Sequence, residues 1–146
     1  KSSMDTASPT KFGFVCVQNA GRSQMSAAFA ERERDLRELG DTLEILTGGT
    51  HPAEHVHEEV ITVMQERDID LSDRTPREVS TDELESCDVV ATMGCSTLEL
   101  DAENVDVRDW ALDDPHGHDL DTVREIRDDI EQRVEALFDE FYPDEP

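Results

Sequence analysis

The sequence predicts an α/β fold: a three-layer sandwich with a four-stranded parallel sheet between flanking helices. Short apolar runs alternate with segments of helical periodicity, which is the pattern of a parallel sheet with helices on both faces. The length, 146 residues, suits one domain and would be cramped for two. No internal repeat and no second composition regime interrupts the alternation.

Each element has a local reason. Residues 1–10 (KSSMDTASPT) are small, polar and aperiodic, and are expected to be a disordered N-terminal segment ahead of a single domain over 11–142. The apolar run 12–17 reads as a buried strand. After NAGR, Met25, Ala28, Phe29, Leu36 and Leu39 recur at spacings of three, four and seven, predicting a helix from Ser23 that Gly40 closes. Residues 43–46 form a second strand, ended by a turn at Gly48-Gly49. A second helix is expected over 53–67, with Val56, Val60, Val63 and Met64 as its buried stripe. Pro76 lies in a loop leading to a short acidic helix at 81–86. Residues 88–93 make the third strand and 105–107 a weak fourth. Leu120, Val123, Ile126, Ile130, Val134, Leu137 and Phe141 step by three or four and mark the clearest helix.

Charge narrows the function classes. There are 37 acidic and 13 basic residues, a formal net charge of −24, and only two lysines, Lys1 and Lys11. Phosphate backbones repel such a body, which argues against nucleic acid as a partner. No stretch approaches the roughly 18 apolar residues of a membrane span, and no secretory signal pattern opens the chain. Dispersed acid with scarce lysine suits a cytoplasm very rich in salt, where screening removes self-repulsion. The odd cysteine count, three, makes no disulfide framework and points to free or reactive thiols in a cytoplasmic protein.

In parallel α/β folds, sites sit beyond the carboxyl ends of the strands. The loop after the first strand reads Cys16-Val17-Gln18-Asn19-Ala20-Gly21-Arg22-Ser23. Amide N–H groups at the following helix start are unpaired and point into the loop. Ala20 and Gly21 are small enough for the backbone to curl several N–H groups toward one point. Arg22 adds a planar, permanently charged fork suited to a tetrahedral oxyanion. This positive field favours a Cys16 thiolate, to which Ser23 can donate a hydrogen bond. The result is a nucleophile inside an anion cradle, suited to attack on phosphate or a phosphate mimic. Because the body as a whole is so negative, this cradle has to supply the attraction for an anion locally.

Two other loops fall at the same edge. Asp113-Asp114-Pro115 is either a turn before the last helix or a general acid stiffened by Pro115. Trp110 packs this loop or simply the core. Cys95 follows the third strand and so lies at the edge of Cys16; it is either a second redox thiol or an inert one. Cys87 precedes that strand and reads as structural, since eight extended residues separate it from Cys95 by roughly 25 Å. His51, His55, His57, His116 and His118 match no compact metal site and are expected at the surface; no metal is expected.

The stretch FVCVQNAGRSQMSAAF resembles the active-site loop of the low-molecular-weight protein tyrosine phosphatase superfamily. Its NAGRSQM wording is most similar to the arsenate reductase branch, of the thioredoxin-coupled type. The resemblance continues through GGTHPAEHVHEEVITVMQERDIDLSDRTPREV, DVVATMGC and DWALDDPHG, covering about residues 12–141 in order. It implies a four-stranded parallel sheet with flanking helices, no tightly bound cofactor, and arsenate or phosphate as the bound oxyanion. It also implies roles: Cys16 as nucleophile, Arg22 and the amides of 17–23 (Val17, Gln18, Asn19, Ala20, Gly21, Arg22, Ser23) as the anion site. Asn19 would hold the loop's shape. Asp114, immediately before proline, would be the general acid in preference to Asp113, and Cys95 the thiol that resolves a cysteine–arsenic adduct.

The sequence departs from the family in one respect. After Cys95 come Ser96-Thr97-Leu98-Glu99, where one thioredoxin-coupled group carries a further cysteine. Reduction by thioredoxin, by glutaredoxin or by a small thiol all remain open, in a monomer or weak dimer. The alternative activity is hydrolysis of phosphomonoesters through a cysteinyl-phosphate. A non-catalytic oxyanion- or phosphopeptide-binding module is the third reading, disfavoured by the intact Cys–Arg–Asp set.

Overall fold

The computed structural model describes residues 9–93, 105–110, 112 and 117–143. Four parallel strands, β1 (Thr10–Cys16), β2 (Leu43–Gly49), β3 (Val89–Met93) and β4 (Asp106–Asp109), form one sheet in the order β2-β1-β3-β4. The helices are α1 (Arg22–Leu36), α2 (Glu58–Gln65), α3 (Thr81–Glu85) and α4 (Leu120–Phe141). β1 is central: Cys16 at its end lies opposite Gly49 of β2 and Met93 of β3. The predicted α/β sandwich is therefore the observed one.

Strand alternation divides the core in two. Phe12, Phe14 and Cys16 point to the face covered by α1, α2 and α4, where Phe29, Met64, Ile130 and Phe138 are buried. Val15 points to the other face, with Val79, Leu84, Cys87, Val90 and Val105. α4 runs over the residues its periodicity predicts, capped by the Asp119 carboxylate on the Thr122 N–H. α3 begins with a capping box between Ser80 and Glu83.

Several boundaries shift by a residue or two, with β1 over Thr10–Cys16 and not 12–17, and β4 over Asp106–Asp109 and not 105–107; three further differences have a clear physical reason. α1 ends at Leu36, before Gly40, because Glu38 adopts the left-handed conformation (φ 56°). Its N–H and that of Leu39 then reach back to the carbonyls of Asp35 and Arg34 and terminate the helix. Gly40 instead opens a 3₁₀ turn, Gly40–Thr42. β2 continues through Gly48 and Gly49 rather than turning there, pairing with Val15 and Cys16. α2 starts at Glu58 rather than 53, since the backbone of the preceding residues is engaged by the β1–α1 loop.

Few basic residues hold many acids. Arg124, Glu66, Arg127, Asp128, Arg67, Glu131 and Arg32 form a continuous chain of ion pairs tying α4 to α2 and α1. On the exposed edge strand β4, Arg108 pairs with Asp106 and Glu140. Among the described residues, no helix is long and apolar enough to cross a membrane.

Candidate active site

The sequence from Cys16 to Ser23 leaves the carboxyl edge of the central strand, curls, and enters α1 at Arg22. Cys16 Sγ is buried, 2.9 Å from Ser23 Oγ and 3.2 Å from the Asn19 N–H, which donates to it. The thiol thus sits beside the Asn19 N–H and the Ser23 hydroxyl at a helix start.

Asn19 gives the loop its shape. It takes a left-handed backbone conformation (φ 53°), which Asn adopts more readily than most residues. Its fully buried amide is held on both ends. Nδ2 donates to Ser23 Oγ (2.8 Å) and Thr47 Oγ1 (3.0 Å), while Oδ1 accepts from Gln24 Nε2 (3.1 Å) and the Arg77 N–H (3.0 Å). Thr47 Oγ1 lies 2.9 Å from the Phe14 carbonyl, which anchors the network to the sheet.

Gly49 lets the loop come close. A Cβ there would lie 2.5 Å from the Val17 carbonyl oxygen and 3.0 Å from the Asn19 nitrogen. Gly49 also bridges to the 77–79 segment: its N–H donates to Arg77 O and its carbonyl accepts from the Val79 N–H. Outside the loop, the N–H groups of Thr50, His51, Ala53 and His57 donate to the carbonyls of Cys16, Val17, Gln18 and Ala20. With those carbonyls turned outward, the loop's amides are left to face inward, as an anion site requires.

Arg22 is nearly buried, and its Nη1 donates to the Leu112 carbonyl at 2.9 Å. The guanidinium expected to meet an anion is thereby tied to Leu112, the residue before Asp113 in sequence. Asp114, Asp113 and Cys95 lie outside the described residues. Trp110 is buried, its ring tilted against Phe14 at 6.0 Å between centroids and its backbone N–H donating to the Thr92 carbonyl; it is a core residue beside the site.

Cys87 is remote from Cys16. It packs on the opposite face of the sheet, against Gly13, three positions back along β1. Burial pushes its thiol up to about 11. His51, His55 and His118 are exposed, and His116 lies outside the described residues. His57 is half-buried and lies 3.1 Å from Gln18 Oε1. Among the described residues no group of three or more His, Cys, Asp or Glu is placed to hold a metal ion.

Sequence reasoning therefore found the loop and missed its supports: Thr47, Gly49, Gln24, the backbone of Arg77 and the 50–57 segment. The Gly48-Gly49 pair was the available signal, since paired glycines in a strand mark close backbone approach as readily as a turn.

Comparison with known proteins places this arrangement in context. The family profile of the low molecular weight phosphotyrosine protein phosphatase matches residues 11–145. The chain is 78% identical over 142 residues to the "Putative arsenate reductase" of Halobacterium salinarum, covering 97% of this chain and all of that protein. It is 34% identical over 131 residues to the glutaredoxin arsenate reductase of Synechocystis, covering 87% of this chain and 95% of the relative. Among solved structures, the thioredoxin-dependent arsenate reductase Cg_ArsC1' of Corynebacterium glutamicum superposes with a TM-score of 0.75 at 30% identity. That alignment spans 94% of this chain and 65% of the larger one.

Proposed function

The chain belongs to the low molecular weight phosphotyrosine protein phosphatase family, and we propose that within it the protein works as a thiol-dependent arsenate reductase. The observation that carries the reading is the Cys16 sulfur held between Ser23 Oγ and the Asn19 N–H at the start of α1. The 78% identity to the Halobacterium salinarum protein, in a family shared with phosphatases, favours reduction over hydrolysis.

The chemistry follows from the residues. The Cys16 thiolate attacks arsenate held by Arg22 and the amides of residues 17–23, forming a sulfur–arsenic bond. One arsenate oxygen departs as water, with a proton from Asp114. A second thiol, that of Cys95, then attacks the Cys16 sulfur. A disulfide forms, the electron pair of the broken bond passes to arsenic, and arsenite leaves in the trivalent state. A thiol donor of the thioredoxin or glutaredoxin class returns the disulfide to two thiols. Cys87 takes no part. Residues 11–142 act as one catalytic domain, a monomer or weak dimer, in a salt-rich cytoplasm that screens the −24 charge.

The test is arsenite production from arsenate with a thiol donor, in concentrated potassium chloride. Cys16→Ser should lower turnover by at least ~10³-fold, and Cys95→Ser should abolish thioredoxin-supported turnover. Full turnover in Cys95→Ser would remove Cys95 from the mechanism. The second reading, phosphomonoester hydrolysis, is favoured by the same Cys16 geometry, since a cysteinyl-phosphate formed with Arg22 and Asp114 needs no second thiol. Aryl phosphate hydrolysis that is lost in Cys16→Ser, with no arsenite formed by the parent protein, would establish it instead.

A further inference from the structure

We infer that His57 is a positioning residue of the anion cradle, acting on the two residues that flank the left-handed Asn19. The inference rests on the reading of residues 16–23 as an oxyanion site. His57 stands at the N-cap of α2, and its side chain makes no capping hydrogen bond there. Its backbone N–H donates to the Ala20 carbonyl at 3.0 Å, and its Nε2 lies 3.1 Å from Gln18 Oε1. Because that oxygen can only accept, Nε2 carries the hydrogen. One residue therefore grips the loop on both sides of Asn19, whose φ of 53° is the turning point of the cradle.

The consequence is geometric. Asn19 is fixed from inside by its amide contacts with Ser23, Thr47 and Gln24. Those contacts hold the side chain; the 18–19 peptide unit is held by the Asn19 N–H on Cys16 Sγ inside and by Ala53 outside, and the 20–21 unit by His57. The carbonyls of Gln18 and Ala20 are turned outward by the N–H groups of Ala53 and His57, at 2.9 and 3.0 Å. The 50–57 segment is thus the outer half of the cradle, and Pro52, which has no N–H, falls between two of the residues that donate. His57 adds a side-chain contact to its backbone one, tying the Gln18 side chain down as well. Losing that contact should loosen the amides that meet the anion while leaving the sheet and α2 in place.

Inorganic phosphate is the probe, with its dissociation constant measured by calorimetry in concentrated potassium chloride. His57→Ala should weaken phosphate roughly three- to tenfold, the worth of one hydrogen bond. His57→Gln, whose side-chain amide nitrogen reaches about as far as Nε2, should restore most of the loss. In a Gln18→Ala background His57→Ala should cost less than it does alone. The phosphate-free melting temperature should stay within about 2 °C of the parent. Unchanged phosphate affinity in His57→Ala, no rescue by His57→Gln, full additivity with Gln18→Ala, or a melting temperature that falls with affinity would each overturn the inference. A parent protein that binds no phosphate would overturn the cradle reading itself, and this inference with it.

Discussion

Cys16 and Cys87 are hidden from solvent to nearly the same degree, 2% and 3% exposed, yet their surroundings are opposite. Cys16 ends β1 at the start of a helix, and its polar neighbours are the Ser23 hydroxyl and the Asn19 N–H. Cys87 follows the short helix α3 and meets the Glu83 carbonyl at 3.7 Å; burial dominates its surroundings, and the positive charge of Lys11 is opposed by the carboxylates of Asp88, Glu83 and Glu44. Donors meet one sulfur; apolar burial and a carbonyl acceptor meet the other. Burial alone is therefore no measure of a thiol's reactivity: what counts is whether the buried surroundings can stabilise an anion.

Alkylation tells the two thiols apart most directly. With its thiol at about 11, only roughly one Cys87 in 10⁴ is thiolate at pH 7. Iodoacetate, itself an anion, should label Cys16 at least ~100-fold faster than Cys87, and phosphate should protect Cys16 alone. Peptide mapping of the labelled protein reads both rates. Comparable labelling of the two thiols would mean that the donors around Cys16 do not matter.

The next effect tests the cradle's packing. Gly49→Ala would set a methyl group 2.5 Å from the Val17 carbonyl oxygen, which is backbone and cannot step aside. The loop must shift, and arsenate kcat/KM should fall by about 10- to 100-fold, with a stability loss of ~1–3 kcal/mol in urea titration. A comparable change on the far face, at Gly13, would press on the Cys87 sulfur at 3.0 Å and should lower stability while leaving kcat/KM intact. Equal losses of activity at both positions would erase the distinction between the two sites.

How much of this was legible in the sequence follows from how local each feature is. α4 was readable to its ends, because twenty-two residues of strict amphipathic spacing admit one reading. Cys16, Arg22 and the small residues between them were readable as one unit because they form a contiguous loop between a strand and a helix. The supports were not, because they arrive from distant sequence: Thr47 is 28 residues from Asn19 and Arg77 is 58. The expected helix over 53–67 failed at its start for the same reason. Val56 does carry the helical stripe and is buried, but the N–H groups of Ala53 and His57 go to the loop, so α2 begins only at Glu58. Likewise Glu38, and not Gly40, supplies the left-handed residue that ends α1, a choice that no pattern of residue types announces.

The smallest expected effect is an alkaline one, and it belongs to Cys87. Its thiol is raised from 9.0 to about 11, chiefly by burial, so the folded protein prefers the neutral form more strongly than the unfolded chain does. A thiol raised on folding contributes stability that is fully present below pH 9. That contribution is lost as pH rises toward 11, where the unfolded chain ionises first. The loss should not exceed about 2 kcal/mol, because part of the group's field is screened by solvent. Urea midpoints from pH 8 to 11 measure it, with Cys87→Ala as the control. The variant should start about 1 kcal/mol less stable at pH 8, from lost packing. It should then lose less with rising pH than the parent does, since the buried thiol is gone. Parallel curves for the two proteins would show that Cys87 ionises as easily folded as unfolded, and would leave its contrast with Cys16 to rest on position in the sheet alone.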